Sequence, residues 1–381
     1  MTEYERKLTK ALIAVMVVCT LLYLLPYGMS ANTSMSFQLL DHTDGSTHYD
    51  LNVVVPQSLL EYYNAKSHTL NSEHDFAKFV TPYALQPIAN SLRQIYADDE
   101  DYTNGVLMIV HQIPYESTVS ARYPVETMVN NKGDCDLFSF IAASIIDAGG
   151  LDAVLLYYES ESHMNIAVNL PHAPQDAREE AFFITHNNAK YYVAECTGDK
   201  WQTGWRVGEC PTDLRNTSPQ IITLEGSEQT ATGQVSASYA SLVTSSLTLS
   251  TSASYLLQGS IVTLSGQLSP NLPNENITIY TRVNNSPWMI LDTVATDSRG
   301  QFAYAWSTDA SGICYVRASW SGDNSHSAAD SSIRSITVLS TFFVVLIVLT
   351  AALACVGIAA FVMGRQSYTG IAEPQPPEIP S

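Results

Sequence analysis

Three residues have the types and local settings needed for acyl transfer through a thioester. Cys135 lies in KGDCDLFS (132–139), at the head of a strongly apolar run, FSFIAASII, that closes at Gly149 and Gly150. A segment apolar on all sides reads as a buried helix. Asp134 stands where it would cap that helix, so Cys135 falls in the first turn, where unpaired N–H groups and the helix dipole favour the nucleophilic thiolate. His163 opens a strand-like stretch, HMNIAVNL, with Ile166, Val168 and Leu170 on one face and His163, Asn165 and Ala167 on the other. Glu195 belongs to the second arm (190–197) of a hairpin turning at 186–189, and shares a face with Tyr191, Val193 and Thr197. In such chemistry a thiolate attacks an acyl carbon, an imidazole carries the proton, and a carboxylate fixes the imidazole tautomer. The plainer alternatives are a structural cysteine beside a tight turn and a structural histidine.

These side chains need a scaffold, and the surrounding pattern supplies one. Residues 74–95 and 103–113 read as helices, the second with Val106, Ile109, Val110 and Ile113 at helical spacing. Residues 153–158 form a strand, and the polar turn 159–162 leads into the strand of His163. The acids Asp98 to Asp101 fit a helix N-terminus better than a calcium loop, because no Asp/Asn-spaced ligand series follows. Residues 36–225 thus mix helix and strand, an α+β domain. A Ser/Thr/Ala-rich stretch, 226–246, reads as a linker. Short β-rich runs at 247–249, 261–268, 277–280, 288–295, 302–306 and 313–320, separated by turns, imply an all-β sandwich over 247–338.

Composition narrows the setting. The net charge of -19 disfavours a nucleic acid partner, and 46% hydrophobic residues suffice for packed cores. The uncharged run 341–363 is about long enough for a transmembrane helix. An earlier apolar run within 11–30 follows Arg6, Lys7 and Lys10 and reads as a signal anchor, with a cleaved signal peptide as the alternative. Two spans through a lipid bilayer would leave the tails 1–10 and 364–381 in the cytoplasm and the main domains outside the plasma membrane. Sequons at Asn32, Asn216, Asn276 and Asn284 all fall in the exterior segment. No zinc motif appears among the nine histidines, so neither a metal nor another cofactor is expected.

The chain resembles the transglutaminase-like superfamily, particularly its membrane-associated archaeal members. The resemblance runs from about Phe76 to Pro211 and rests on VHQIPY (110–115), YPVETMVNNKGDCD (123–136), HMNIAV (163–168), YYVAECTG (191–198) and WRVGECP (205–211). It implies a papain-related core with Cys135 as nucleophile, His163 as base and Glu195 as orienting acid. Many members have Asp at the position of Glu195 and His-Ala-Trp in place of His163-Met164-Asn165. Gln112 and Tyr115 are candidates to stabilise an oxyanion with the Cys135 N–H. Cys196, where the family has Thr, and Cys210 are candidates for a disulfide. The sandwich is similar to immunoglobulin-like modules of prokaryotic surface proteins, chiefly in GICYVRASWSGDNSHSAA (312–329). The expected substrate is an extracellular protein or peptide, with protease, deamidase and cross-linking outcomes all open. A catalytically silent surface adhesion or scaffold protein is the alternative.

Overall fold

The structure, a computed structural model, describes residues 32–342 apart from 44, 46, 199, 231, 232, 240–242, 285 and 324, together with 345 and 356. The expected N-terminal anchor and nearly all of the 341–363 run lie outside the described residues. Among the described residues, no helix is long and apolar enough to cross a membrane.

The N-terminal part opens with an antiparallel pair, β1 (Thr33–Leu40) and β2 (His48–Val55). Five helices follow: α1 (Gln57–Asn64), α2 (Pro82–Ile95), α3 (Asp99–Val110), α4 (Pro124–Asn130) and α5 (Cys135–Ala148). Then comes an antiparallel sheet of β3 (Ala153–Tyr158), β4 (His163–Asn169), β5 (Phe183–His186), β6 (Ala189–Ala194) and β7 (Gln220–Thr223), in the order β5-β6-β4-β3-β7. Strand alternation divides this sheet between two cores. Leu155, Ile166, Val168 and Ala194 join α5 in the main core, while Val154, Leu156, Ala167 and Val193 pack on the other face with Cys210 and Leu214.

Several boundaries differ from the sequence reading. The helix expected over 74–95 is split into a 3-10 turn, Glu73–Phe79, and α2. Pro82 accounts for the break, because proline disfavours helical backbone in the residue before it, and Val80 and Thr81 are non-helical. The helix expected from Thr103 begins earlier, at Asp99. Asp98 caps it by accepting from the Glu100 and Asp101 amides, so three of the acids lie inside the first turn. Asn187 and Asn188, both at positive φ (49° and 62°), make the two-residue hairpin turn between β5 and β6. The strand expected to run to Thr197 ends at Ala194.

Residues 226–246, expected as a linker, contain β8 (Ser236–Ser238), which is buried and pairs with β2. Beyond it, β9 (Ser246–Leu247), β10 (Ser250–Thr251), β12 (Ile261–Ser269) and β15 (Gln301–Ser307) form one sheet. The other consists of β11 (Tyr255–Leu257), β18 (Arg334–Leu339), β16 (Gly312–Trp320), β13 (Asn276–Val283) and β14 (Met289–Ala295), with β17 (Ala329–Asp330) beside β16. Leu264, Ile279, Phe302, Val316 and Ile336 fill the space between the two sheets. The first helix is completed from this second unit. Asp330 accepts from the Ser58 amide and hydroxyl at 2.9 and 2.8 Å, and Arg317 pairs with Glu61 at 3.2 Å.

Candidate active site

The sheet side of the site is built around Glu195, which is fully buried one residue past β6. Extending the β4–β6 register, in which Ile166 faces Ala194, sets Asn165 opposite Glu195 and His163 opposite Thr197. All four side chains then share one face. Accordingly, Glu195 Oε2 lies 2.9 Å from His163 Nε2 and accepts from Asn165 Nδ2 at 3.1 Å. Its Oε1 accepts from the Thr197 amide at 2.9 Å and the Thr197 hydroxyl at 2.6 Å. Burial by itself would raise the Glu195 pKa, but the His163 ring and the Thr197 donors outweigh it and lower the value. From behind, His111 Nε2 lies 3.0 Å from the Glu195 carbonyl oxygen, and burial lowers the His111 pKa, so its ring stays neutral and donates there. The loop after Glu195 wraps this ring tightly. A Cβ on Gly204 would come within 2.6 Å of His111 Nδ1.

His163 is the first residue of β4 and its side chain is 20% exposed. Burial pushes its pKa down, yet hydrogen bonding with Cys135 and with Glu195 overcomes this and takes it up to about 10. With Nε2 held by Glu195, Nδ1 is the ring nitrogen left for the thiol. Cys135 opens α5, as expected, and its Sγ approaches the Ser162 carbonyl at 3.9 Å, in the turn just before His163. The structure thus brings Cys135, His163 and Glu195 together.

The helix side differs from expectation. Asp134 occupies the N-cap position but makes no side-chain cap hydrogen bond. Its Oδ2 accepts instead from the Thr118 amide (2.6 Å) and hydroxyl (2.9 Å), tying down the preceding loop. Across Cys135, the Asp136 carboxyl is pushed up to about 8 by burial, and next by a shared hydrogen bond with Asp134 and the charge of that neighbour. Tyr115 is 58% exposed and lies by the sulfur, its phenol pKa raised first by burial and then by Cys135. Gln112 is engaged elsewhere. Its amide exchanges two hydrogen bonds of 2.8 Å with the Gln38 backbone and also donates to the Met108 carbonyl, which occupies the group proposed for an oxyanion.

The disulfide expected between Cys196 and Cys210 is not formed; both are free thiols. Cys196 lies in the main core and Cys210 in the smaller one, so the sheet separates them. Burial raises both thiol pKa values, that of Cys210 to about 12. Among the described residues, the group best placed to hold a metal ion is His42, Asp101 and Asp176, and it shares no residue with this site. His42 Nε2 stands 3.6 and 3.8 Å from the two carboxylates, and its side chain is half exposed.

Asn165 and Thr197 had a signal in the sequence, since strand alternation puts them on the faces of His163 and Glu195. His111 and Thr118 had none, because each meets its partner only through the tertiary fold.

No protein-family model matches the chain, and no curated protein does. Among solved structures it is similar to a red sea bream transglutaminase, at 8% identity and a TM-score of 0.22, covering 82% of this chain and 74% of that one. It is also similar to the adhesin InvE of Yersinia pseudotuberculosis, at 15% identity and a TM-score of 0.20, over 46% of this chain and 53% of that one. A chitin binding domain from Burkholderia pseudomallei matches at 11% identity and a TM-score of 0.19, over 22% of this chain and 56% of that one. Likenesses this distant carry no weight for function, and the site rests on its own geometry.

Proposed function

We propose that this chain is a membrane-anchored, extracytoplasmic cysteine enzyme of transglutaminase-like type, acting on amide or isopeptide bonds of surface proteins or wall peptides. The observation that carries the reading is the His163 ring held between the Cys135 thiol and a fully buried carboxylate that has a donor at every accepting position. A cationic ring there offers a sulfur anion its counter-charge. The Cys135 sulfur attacks the amide carbonyl carbon, the C–N bond breaks, and the departing amine takes a proton from His163, leaving a thioester. Water or a second amine then attacks the thioester, and His163 accepts the incoming proton. Hydrolysis and amine transfer share this intermediate. The uncharged run 341–363 and the basic start before the run within 11–30 support the anchored, exterior setting.

Alkylation of the full chain with an iodoacetamide probe at pH 7 tests the reading. Cys135 should react about tenfold faster than a free-cysteine peptide, and His163→Ala should remove most of that advantage. Labelling of Cys135 at the rate of an ordinary thiol would favour the scaffold reading instead.

A further inference from the structure

The two ends of the sandwich differ in what they expose. Strand directions define an upper end, where Ser319, Ser321, Ala328 and Asp330 meet the N-terminal part, and a lower end, where β18 stops at Leu339 just before the uncharged run. Six large apolar side chains of residues 247–339 are exposed among the described residues: Tyr255, Leu257, Ile261, Met289, Ile290 and Leu339. All six lie in the lower half. Leu257 pairs with Leu339 and Tyr255 with Thr337 in the parallel β11–β18 ladder, so these side chains share the outward face while Leu256 and Val338 point into the core. Ile261 opens β12 opposite the last residue of β15, and Met289 and Ile290 open β14. After the non-helical Ser340, Thr341 and Phe342 are helical, and Phe342 is 77% exposed.

Charge follows the same division. The lower loops, 258–260, 284–288 and 308–311, contain one charged residue, Asp309, in a chain of net charge -19. The upper loops contain Glu275, Asp297, Arg299 and Asp323. An apolar, nearly uncharged end bearing a tyrosine matches the interfacial layer of a bilayer, where amphipathic rings and aliphatic side chains are favoured and charges are not.

We infer that the lower end of the sandwich rests in the interfacial layer of the lipid bilayer that the 341–363 run enters. This rests on the anchored reading above, and it adds a surface of the folded domain to the membrane contact. The sandwich then stands on the bilayer instead of swinging from a tether, and the N-terminal part is held at its far end; because Asn32 donates to the Ala328 carbonyl at the upper end, this arrangement takes the run within 11–30 as a cleaved signal peptide.

The test uses the full chain in phosphatidylcholine vesicles, zwitterionic because the chain is acidic. In a Cys135→Ser background, single variants Leu257→Cys, Ile261→Cys and Ser298→Cys carry an environment-sensitive nitrobenzoxadiazole probe. The background chain without an added cysteine is the blank for Cys19 and Cys355. Quenching by lipids spin-labelled near the headgroup should be at least threefold stronger at 257 and 261 than at 298, an exposed upper-loop position. Equal, weak quenching at all three positions in protein that co-floats with vesicles would overturn the docking while leaving the anchor intact. A blue-shifted but unquenched probe at 257 would replace lipid with a second copy of the chain as the covering surface. Failure to co-float would remove the anchor, and the docking with it.

Discussion

The sheet side and the helix side of the candidate site each bury carboxyl groups, and burial has opposite outcomes in the two places. On the sheet side, Glu195 has two donors on each oxygen and keeps its charge with no solvent access. On the helix side, Asp136 faces another carboxyl, that of Asp134, and its pKa rises to about 8. Both groups lose water. What differs is whether fixed donors replace it, and that decides which carboxyl is an anion at neutral pH.

Glu195→Ala should do the most damage, because it removes one partner of a buried ion pair. We expect a loss of about 3 kcal/mol by urea unfolding at pH 7, together with loss of the fast alkylation of Cys135. The native pair also sets a pH window. The folded His163 pKa lies above its unfolded value, so its contribution is fully present below about pH 6.5 and is lost as pH rises through about 10. The folded Glu195 pKa lies below its unfolded value, so its contribution is lost as pH falls through the folded value. The Ala variant should lack the acid limb and keep only the part of the alkaline limb that Cys135 supports, and a stability profile unchanged from the native one would undo the distinction between the two sides.

Asp136→Asn should have the opposite sign. The folded chain holds a proton at Asp136 that the unfolded chain has released between about pH 4 and pH 8, so stability falls as pH rises through that window. Asparagine keeps a donor toward Asp134 without the proton cost. A gain of roughly 2 kcal/mol at pH 8 and almost none at pH 4 is expected in denaturant melts. A loss at pH 8 would mean that the Asp136 carboxylate is stabilised by donors after all.

Two smaller changes sharpen the comparison from within each side. Asn165→Ala deletes one of the four donors to Glu195 and should cost about 1.5 kcal/mol, with slower alkylation of Cys135 as the readout specific to positioning. Thr118→Val removes a hydroxyl from Asp134 while its backbone amide still donates. Its cost should be about 1 kcal/mol, measured by thermal melting, with alkylation of Cys135 little changed.

Much of the sheet side was legible in the sequence because strand alternation is a local rule. It put His163 and Asn165 on one face and Glu195 and Thr197 on another, and the register between β4 and β6 joined them. The start of α5 at Cys135 was legible from the apolar run that follows it. The role of Asp134 was not, since a capping sequence says nothing about a competing partner such as Thr118, 16 residues earlier. Gln112 and the Cys196–Cys210 pair went astray for a related reason. Closeness along the chain to a motif does not say which face of a sheet, or which neighbouring backbone, a side chain will meet.

The Asp330 carboxylate at the start of α1 bears on how the whole chain unfolds. A helix near the N-terminus has its Ser58 amide and hydroxyl satisfied by a residue 272 positions later, and β8 completes the β1–β2 sheet from within the connecting stretch. Melting the sandwich therefore uncaps α1, and melting α1 strands a buried Arg317 whose ion-pair partner is Glu61. Two units that finish each other's secondary structure share their cooperativity, so calorimetry should record one merged transition where independent domains would give two.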